Sequence, residues 1–313
     1  MVVTVSALLV GVVLLAYAAD QFVLGAARVA LIRRLSPLLL GVVIIGFGTS
    51  SPELLVSAIA AAGGDPEIAV GNIVGSNIAN LSLLLGVGAM IVPVAVASTT
   101  VRREAPITVL AMVGFAVAVQ GGGIGRPAGV LLLAALAVSL WLVTRKGAGA
   151  DPLGPETVEL AAPSTHSLRV EVVRTVLGLV GTVAGAQLLL WGAVDVADRA
   201  GLGEGFVGAT LVAVGTSLPE LVTVVQSSRR GETDLVVRNL LGSNLFNGLG
   251  VGGVIGLIGA TGIDDRPLTV VAPIMAIAVS GVALVAMVSG RTVRRSEGVA
   301  LVVLYAALVP FLA

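Results

Sequence analysis

Two glutamates stand where charge is least tolerated. Glu53 lies within an apolar stretch over 37–61 and Glu220 within another over 205–228. A lone charge at the centre of a bilayer costs about 2.5–3.5 kcal/mol on insertion scales, so such a residue normally faces a cavity and has a partner. A structural reading would pair each glutamate with an arginine, but no lysine or arginine falls in the middle of any apolar stretch. A bound cation or a proton is the compensation that remains.

The neighbours of each glutamate sharpen that reading. Pro52 and Pro219 lack an N–H and displace the carbonyl four residues back, which belongs to Gly48 and Gly215. The helix is expected to loosen there and to aim backbone oxygens toward the carboxylate. Thr49 and Thr216 sit four residues before Glu53 and Glu220 and share their helix faces. A packing kink would explain one such arrangement, and two copies beside the same acid favour a site. Two further stretches carry Asn72, Ser76, Asn80 and Asn239, Ser243, Asn247, each set spaced four apart along one face. Serine and asparagine also serve as interhelical glue, with Gly71 and Gly75 allowing close packing. The doubled stripe favours an ion-lining role for Ser76, Asn80, Ser243 and Asn247.

All these groups offer oxygen. Hard cations such as Ca²⁺ take six to eight oxygens at about 2.3–2.6 Å, whereas softer metals ask for imidazole or thiolate. The chain has no cysteine, and its one histidine, His166, falls in a polar linker. Gly121-Gly122-Gly123-Ile124-Gly125 looks like a phosphate cradle, but it joins two apolar stretches and no Lys-Ser/Thr follows, so it reads as a turn. No nucleophile elbow or acid dyad suggests an enzyme. Asp20, Asp195 and Asp198 lie nearer the stretch ends and read as interfacial.

The elements that must position these groups are transmembrane helices. Of 313 residues 57% are hydrophobic and 12% charged, with a mean hydropathy of +1.07; a soluble domain carries about 25% charged residues. Only helices satisfy their own backbone in lipid. Ten spans read as 4–30, 37–61, 67–92, 105–120, 125–145, 170–198, 205–228, 234–260, 267–289 and 296–313. Residues 1–19 resemble a signal peptide, but no basic region precedes them and the apolar pattern runs on to Leu31. The zero net charge gives no hint of nucleic acid.

The second half repeats the first at an offset of 167 residues, and more than 50 positions align without a gap. Gly48-Thr49-Ser50 and Pro52-Glu53-Leu54 match Gly215-Thr216-Ser217 and Pro219-Glu220-Leu221; Asn72, Gly75-Ser76-Asn77 and Asn80 match Asn239, Gly242-Ser243-Asn244 and Asn247. Five spans per copy is odd, so the copies must lie upside down to one another, as in transporters built from inverted repeats. The expected fold is an all-α integral membrane protein of ten transmembrane helices in two inverted five-helix repeats. Residues 1–145 and 169–313 form the repeats, and 146–168, rich in Gly, Pro, Asp, Glu and Ser, links them. Counting loops alternately puts 15 of the 18 basic residues on one side, with only Arg126, Arg199 and Arg266 on the other. The rich side is cytoplasmic, so both termini face out, the linker faces in, and the expected location is the cell membrane.

At these residues the chain resembles the cation/calcium exchanger superfamily, and within it the prokaryotic sodium/calcium exchangers. The Gly-Thr-Ser-x-Pro-Glu runs at 48–53 and 215–220 are similar to its two alpha-repeat signatures, and Gly75-Ser76-Asn77 and Gly242-Ser243-Asn244 to the partner segments. The resemblance covers essentially the whole chain. It implies a Ca²⁺ site of Glu53, Glu220 and the carbonyls of Thr49 and Thr216. It implies Na⁺ sites that add Ser50, Ser217, Ser76, Asn80, Ser243, Asn247 and the carbonyl of Ala213. Two departures stand out: Gly46 where the second copy has Ala213, and Asn247 where the best-known archaeal relatives have aspartate. The leading expectation is a secondary antiporter that exchanges Na⁺ for Ca²⁺ by alternating access. Ca²⁺ and Na⁺ are then cargo rather than resident cofactors, and neither nucleic acid nor an obligate protein partner is expected. H⁺/Ca²⁺ antiport on the same glutamates is the alternative; a cation channel and an intramembrane enzyme are further classes.

Overall fold

The computed structural model describes residues 2–33, 50–97, 100–144 and 167–312. Most of the second expected span, most of the 146–168 linker, Thr49 and His166 lie outside the described residues. The first half contains α1 (Val2–Ile32), α2 (Ser51–Gly63), α3 (Pro66–Ile91), β1 (Val94–Ala95), α4 (Ala105–Val119), β2 (Gly123–Ile124) and α5 (Arg126–Thr144). The second contains α6 (Leu168–Ala200), α7 (Glu204–Thr216), α8 (Leu218–Arg230), α9 (Thr233–Ile258), β3 (Ala260–Thr261), α10 (Pro267–Val288), β4 (Thr292–Val293) and α11 (Arg295–Leu308).

Seven of these helices are long and apolar enough to cross a membrane among the described residues, and α7 with α8 meets the same length and composition only as a pair, bent by 45°. The chain is a multi-pass, helical membrane protein. Burial differs widely among the helices. In α3 and α9 83% and 78% of the apolar window is buried, against 11% in α5 and 17% in α11. The first pair therefore forms the core, and the second offers its surface to lipid. This explains the polar residues: a stripe of asparagine and serine is tolerable only on helices that meet protein on most sides.

The two halves repeat at the level of backbone detail. The bounds of α8 are those of α2 displaced by 167 residues, and so are those of two π-helical turns, Thr100–Glu104 and Pro267–Val271. The same displacement relates the left-handed glycines that stop α2 and α8, Gly64 (φ 100°) and Gly231 (φ 77°), a conformation glycine adopts at no steric cost. The only regular non-helical pairings among the described residues are two short antiparallel ladders. Val94 pairs with Val293 and Ala95 with Thr292; Gly123 pairs with Thr261 and Ile124 with Ala260. Each ladder therefore joins one half to the other, and the glycine run at 121–125 is a turn leading into a strand.

α1 and α6 pack antiparallel along most of their length. Thr4 Oγ1 donates to Asp195, and Arg28 reaches Glu171 at 3.3 Å. Positions 4 and 171, like 28 and 195, are separated by the 167-residue offset, so one contact is made twice with different chemistry. Glycines bring the backbones together: a Cβ at Gly11 would lie 2.7 Å from the Leu189 nitrogen, and one at Gly178 would strike the Phe22 nitrogen. At 31 and 33 residues and about 1.5 Å per residue, both helices exceed a hydrocarbon core of about 30 Å, so they tilt or project beyond it.

Glu171 was not expected from local pattern. It is fully buried and bridges Arg28 and Arg174, the latter at 3.1 Å. Replacing Glu171 by alanine leaves two guanidinium groups facing each other. Both are partly exposed, at 19% and 23%, so we expect a loss of about 1–2 kcal/mol rather than the 3–5 kcal/mol of a wholly buried pair. Thermal unfolding of the detergent-purified protein measures it, and an unchanged midpoint would show that the triad contributes nothing.

Candidate ion-binding site

The break between α7 and α8 sets the geometry. Pro219 near the start of α8 has no N–H, so the Gly215 carbonyl loses its usual backbone donor. Ser217 at the junction takes φ −84°, ψ 8°, and Ser50 at the matching place before α2 takes φ −91°, ψ 12°. Both lie in the sparsely populated bridge region that active-site residues often occupy. The expected loosening is thus present in the second half, two residues past Gly215. In the first half its counterpart around Gly48 and Thr49 lies outside the described residues. The next helical turn restarts in the same way in both halves: the Leu54 and Leu221 nitrogens donate to the carbonyls of Ser50 and Ser217, each at 3.1 Å.

Glu53 and Glu220, one from each half, are both fully buried in the first turns of α2 and α8. Ser217 Oγ donates to Glu53 Oε1 at 3.1 Å, and Ser243 Oγ to Glu220 Oε1 at 3.4 Å. Glu53 Oε2 has no hydrogen-bond partner among the described residues. Burying a carboxylate with a bare oxygen is costly unless a positive charge meets it, and the ion pairs formed by described residues hold Glu171, Asp195 and Asp234 but not Glu53.

A second group of oxygens lies alongside. The Ala213 carbonyl accepts from Thr216 Oγ1 at 3.2 Å and from Ser76 Oγ at 3.4 Å, so α3 of one half meets α7 of the other at this oxygen. Asn72 ties this group to the first glutamate: Thr216 Oγ1 donates to its Oδ1 at 3.0 Å, and its Nδ2 donates to the Glu53 carbonyl at 3.4 Å and to Ser57 Oγ at 2.9 Å. Asn80 and Asn247 are fully buried; Asn80 opens a π-helical turn over 80–84 and Asn247 stands in another over 246–251. Such wide turns recur at functional sites. The Oδ1 atoms of both have no partner among the described residues, nor has the buried Ser50 Oγ.

Of the expected set, hydrogen bonds thus gather Glu53, Ser217, Thr216, Ala213 and Ser76 in one network and join Glu220 to Ser243. Ser50, Asn80 and Asn247 are buried with unmet oxygens, and Thr49 lies outside the described residues. The expected set omits Asn72, Asn77 and Asn244, which bridge the expected residues or the two halves. Their place in the doubled Asn-x-x-Gly-Ser-Asn run is the signal that could have found them. A separate open groove of about 540 Å³, between the end of α2 and α6 around Asp65 and Trp191, is lined by none of the expected residues.

Such a helical bundle, with carboxylates and amides enclosed at its core, defines a polytopic membrane protein built around a buried polar site. Comparison with known proteins makes the class particular. The family model described as sodium/calcium exchanger protein matches residues 3–145 and 170–313. The putative antiporter CaxA of Alkalimonas amylolytica is 41% identical over 82% of this chain and 81% of its own length. The sodium/calcium exchanger MaX1 of Methanosarcina acetivorans is 28% identical over 96% of this chain and 95% of its own. Among solved structures, the sodium-calcium exchanger NCX_Mj soaked with Na⁺ and Sr²⁺ superposes with a TM-score of 0.66 at 28% identity, covering 99% of this chain and 98% of that one. The chain belongs to the sodium/calcium exchanger family.

Proposed function

We propose that this protein is a secondary antiporter that exchanges Na⁺ for Ca²⁺ by alternating access, with both ions bound between two inverted five-helix repeats. The observation that carries the proposal is the pair Glu53 and Glu220: two fully buried carboxylates, one from each half. Two negative charges balance one Ca²⁺, and the carbonyls of Thr49 and Thr216 complete a hard, oxygen-only site. Ser50, Ser217, Ser76, Asn80, Ser243, Asn247 and the Ala213 carbonyl supply further oxygens for Na⁺.

Three features support the inverted arrangement. The exchanged ladders join β1 to β4 and β2 to β3. The antiparallel contacts between α1 and α6 occur twice at equivalent positions, and α2 and α8 start after equivalent serines, Ser50 and Ser217, of like backbone conformation. Sites at the meeting point of such repeats suit alternating access, because one repeat can rock against the other around a fixed ion. The arginine bias supports an orientation with both termini outside and the 146–168 linker in the cytoplasm.

The test is ⁴⁵Ca²⁺ uptake into proteoliposomes driven by a Na⁺ gradient, with a protonophore collapsing any proton gradient. Uptake that follows the Na⁺ gradient is expected. Uptake that follows only an imposed pH gradient would replace Na⁺ by H⁺ on the same glutamates. The exchange is also expected to carry charge. A Ca²⁺-loaded carboxylate pair is neutral, whereas a Na⁺ load beyond two ions leaves positive charge to cross, and the additional hydroxyl and amide oxygens provide for it. Each charge is worth about 2.3 kcal/mol per 100 mV, so an imposed potassium diffusion potential should change the rate several-fold. A flux indifferent to voltage would indicate a neutral exchange.

A further inference from the structure

The polar core contains a chain of hydrogen bonds that uses none of the two glutamates' oxygens. Asn244 Nδ2 donates to the backbone carbonyl of Asn77 at 3.0 Å, and Asn80 Nδ2 donates to Asn244 Oδ1 at 2.9 Å. Asn77, Asn80 and Asn244 are all at most 1% exposed. The direction of this chain is dictated by chemistry. A backbone carbonyl can only accept, so Asn244 must turn its nitrogen toward Asn77 and its oxygen toward Asn80. Asn80 must then present its nitrogen to Asn244, which leaves its oxygen on the opposite side. That oxygen, Asn80 Oδ1, is buried and has no partner among the described residues.

We propose that Asn244 is a positioning residue, which holds the Asn80 amide with its oxygen turned toward the transported cation. The inference rests on the reading of Asn80 as an ion-lining residue. An asparagine amide has two ends of nearly the same shape and opposite use: the oxygen coordinates a cation and the N–H₂ repels one. Packing alone barely distinguishes the two orientations, and a hydrogen bond to a fixed neighbour does. This is the role of a group behind the ligand, which orients it without touching the ion.

The matching asparagines are arranged differently. Asn77, the counterpart of Asn244, donates its Nδ2 to the carbonyl of Ile73 on its own helix at 2.7 Å. Asn247, the counterpart of Asn80, has neither amide atom bonded among the described residues. Of two amides that the repeat makes equivalent, one is held in orientation and the other is not. Asn244 therefore does more than fill its place in a repeated motif.

The experiment measures the Na⁺ concentration that half-displaces ⁴⁵Ca²⁺ at equilibrium from the detergent-purified full chain. Asn244→Ala is expected to raise it about fivefold, the worth of one net hydrogen bond. In an Asn80→Asp background the same substitution should change it by less than about twofold, because a carboxylate has no wrong end and the coupling between the two positions disappears. An equal shift in both backgrounds would mean that Asn244 only ties α9 to α3, and would overturn the proposal. If Asn244→Ala is not recovered folded, Asn244→Asp, which still accepts from Asn80, decides the matter: a Na⁺ response no weaker than that of the unaltered protein is expected, and a weaker one overturns the proposal. Asn80→Ala separates the underlying reading. An unchanged response there removes Asn80 from the pathway and the orienting role with it, whereas a weakened one keeps Asn80 and leaves only Asn244 at stake.

Discussion

Glu53→Gln and Glu220→Gln should each abolish Ca²⁺ transport, with a residual rate at least about 100-fold below that of the unaltered protein. Glutamine keeps the shape and one oxygen but removes the charge. A divalent ion in a site closed to water then faces a single carboxylate, and the uncompensated charge costs several kcal/mol, where each 1.4 kcal/mol is a factor of about ten. Both carboxylates are fully buried, so solvent cannot screen the loss. The hydroxyls that donate to them, Ser217 to Glu53 and Ser243 to Glu220, can equally donate to an amide oxygen. Folding should therefore survive where transport does not. Near-normal calcium flux in either variant would remove that residue from the site.

The second large effect concerns close approach rather than charge. Gly75 on α3 faces the backbone of α7 so closely that a Cβ there would run into the carbonyl of Ala209, and a Cβ at Gly71 would lie 2.9 Å from the Ala209 nitrogen. Neither obstacle is a side chain that could swing aside. This contact sets the separation of α3 from α7 and hence the approach of Ser76 to the Ala213 carbonyl one residue further on. Gly75→Val should cost at least about 3 kcal/mol, at the upper end of what overpacking costs, because backbone and not side chain must move. The measurement is the yield and thermal midpoint of monodisperse protein by size-exclusion chromatography. A variant with ordinary yield and midpoint would mean that the two helices have room between them.

Much of this was legible in the sequence, for physical reasons that differ between residues. Glu53, Glu220 and the asparagine stripes were conspicuous because lipid penalises polar groups and leaves few innocent explanations for them. The break at Ser217 followed from Pro219, and the matching bounds of α2 and α8 from the offset of 167 residues. The Arg28–Glu171–Arg174 triad was not legible in the same way, since its partners lie 143 residues apart on two helices whose individual patterns are unremarkable. Nor were the bonds of Asn244, which reaches back 167 residues to Asn77 and 164 to Asn80. Local spacing shows which residues share a face, and only the packing of the two halves shows what that face meets. The paired strands escaped notice because two residues are too few to show an alternating pattern.

The most direct test of the central claim is equilibrium binding of ⁴⁵Ca²⁺ to the purified protein with Na⁺ as competitor. A single site between Glu53 and Glu220 predicts saturable Ca²⁺ binding that Na⁺ displaces steeply, and no measurable binding to Glu53→Gln or Glu220→Gln. Ca²⁺ that stays bound to both variants, or that Na⁺ leaves in place, would contradict the claim that the two ions exchange at these carboxylates.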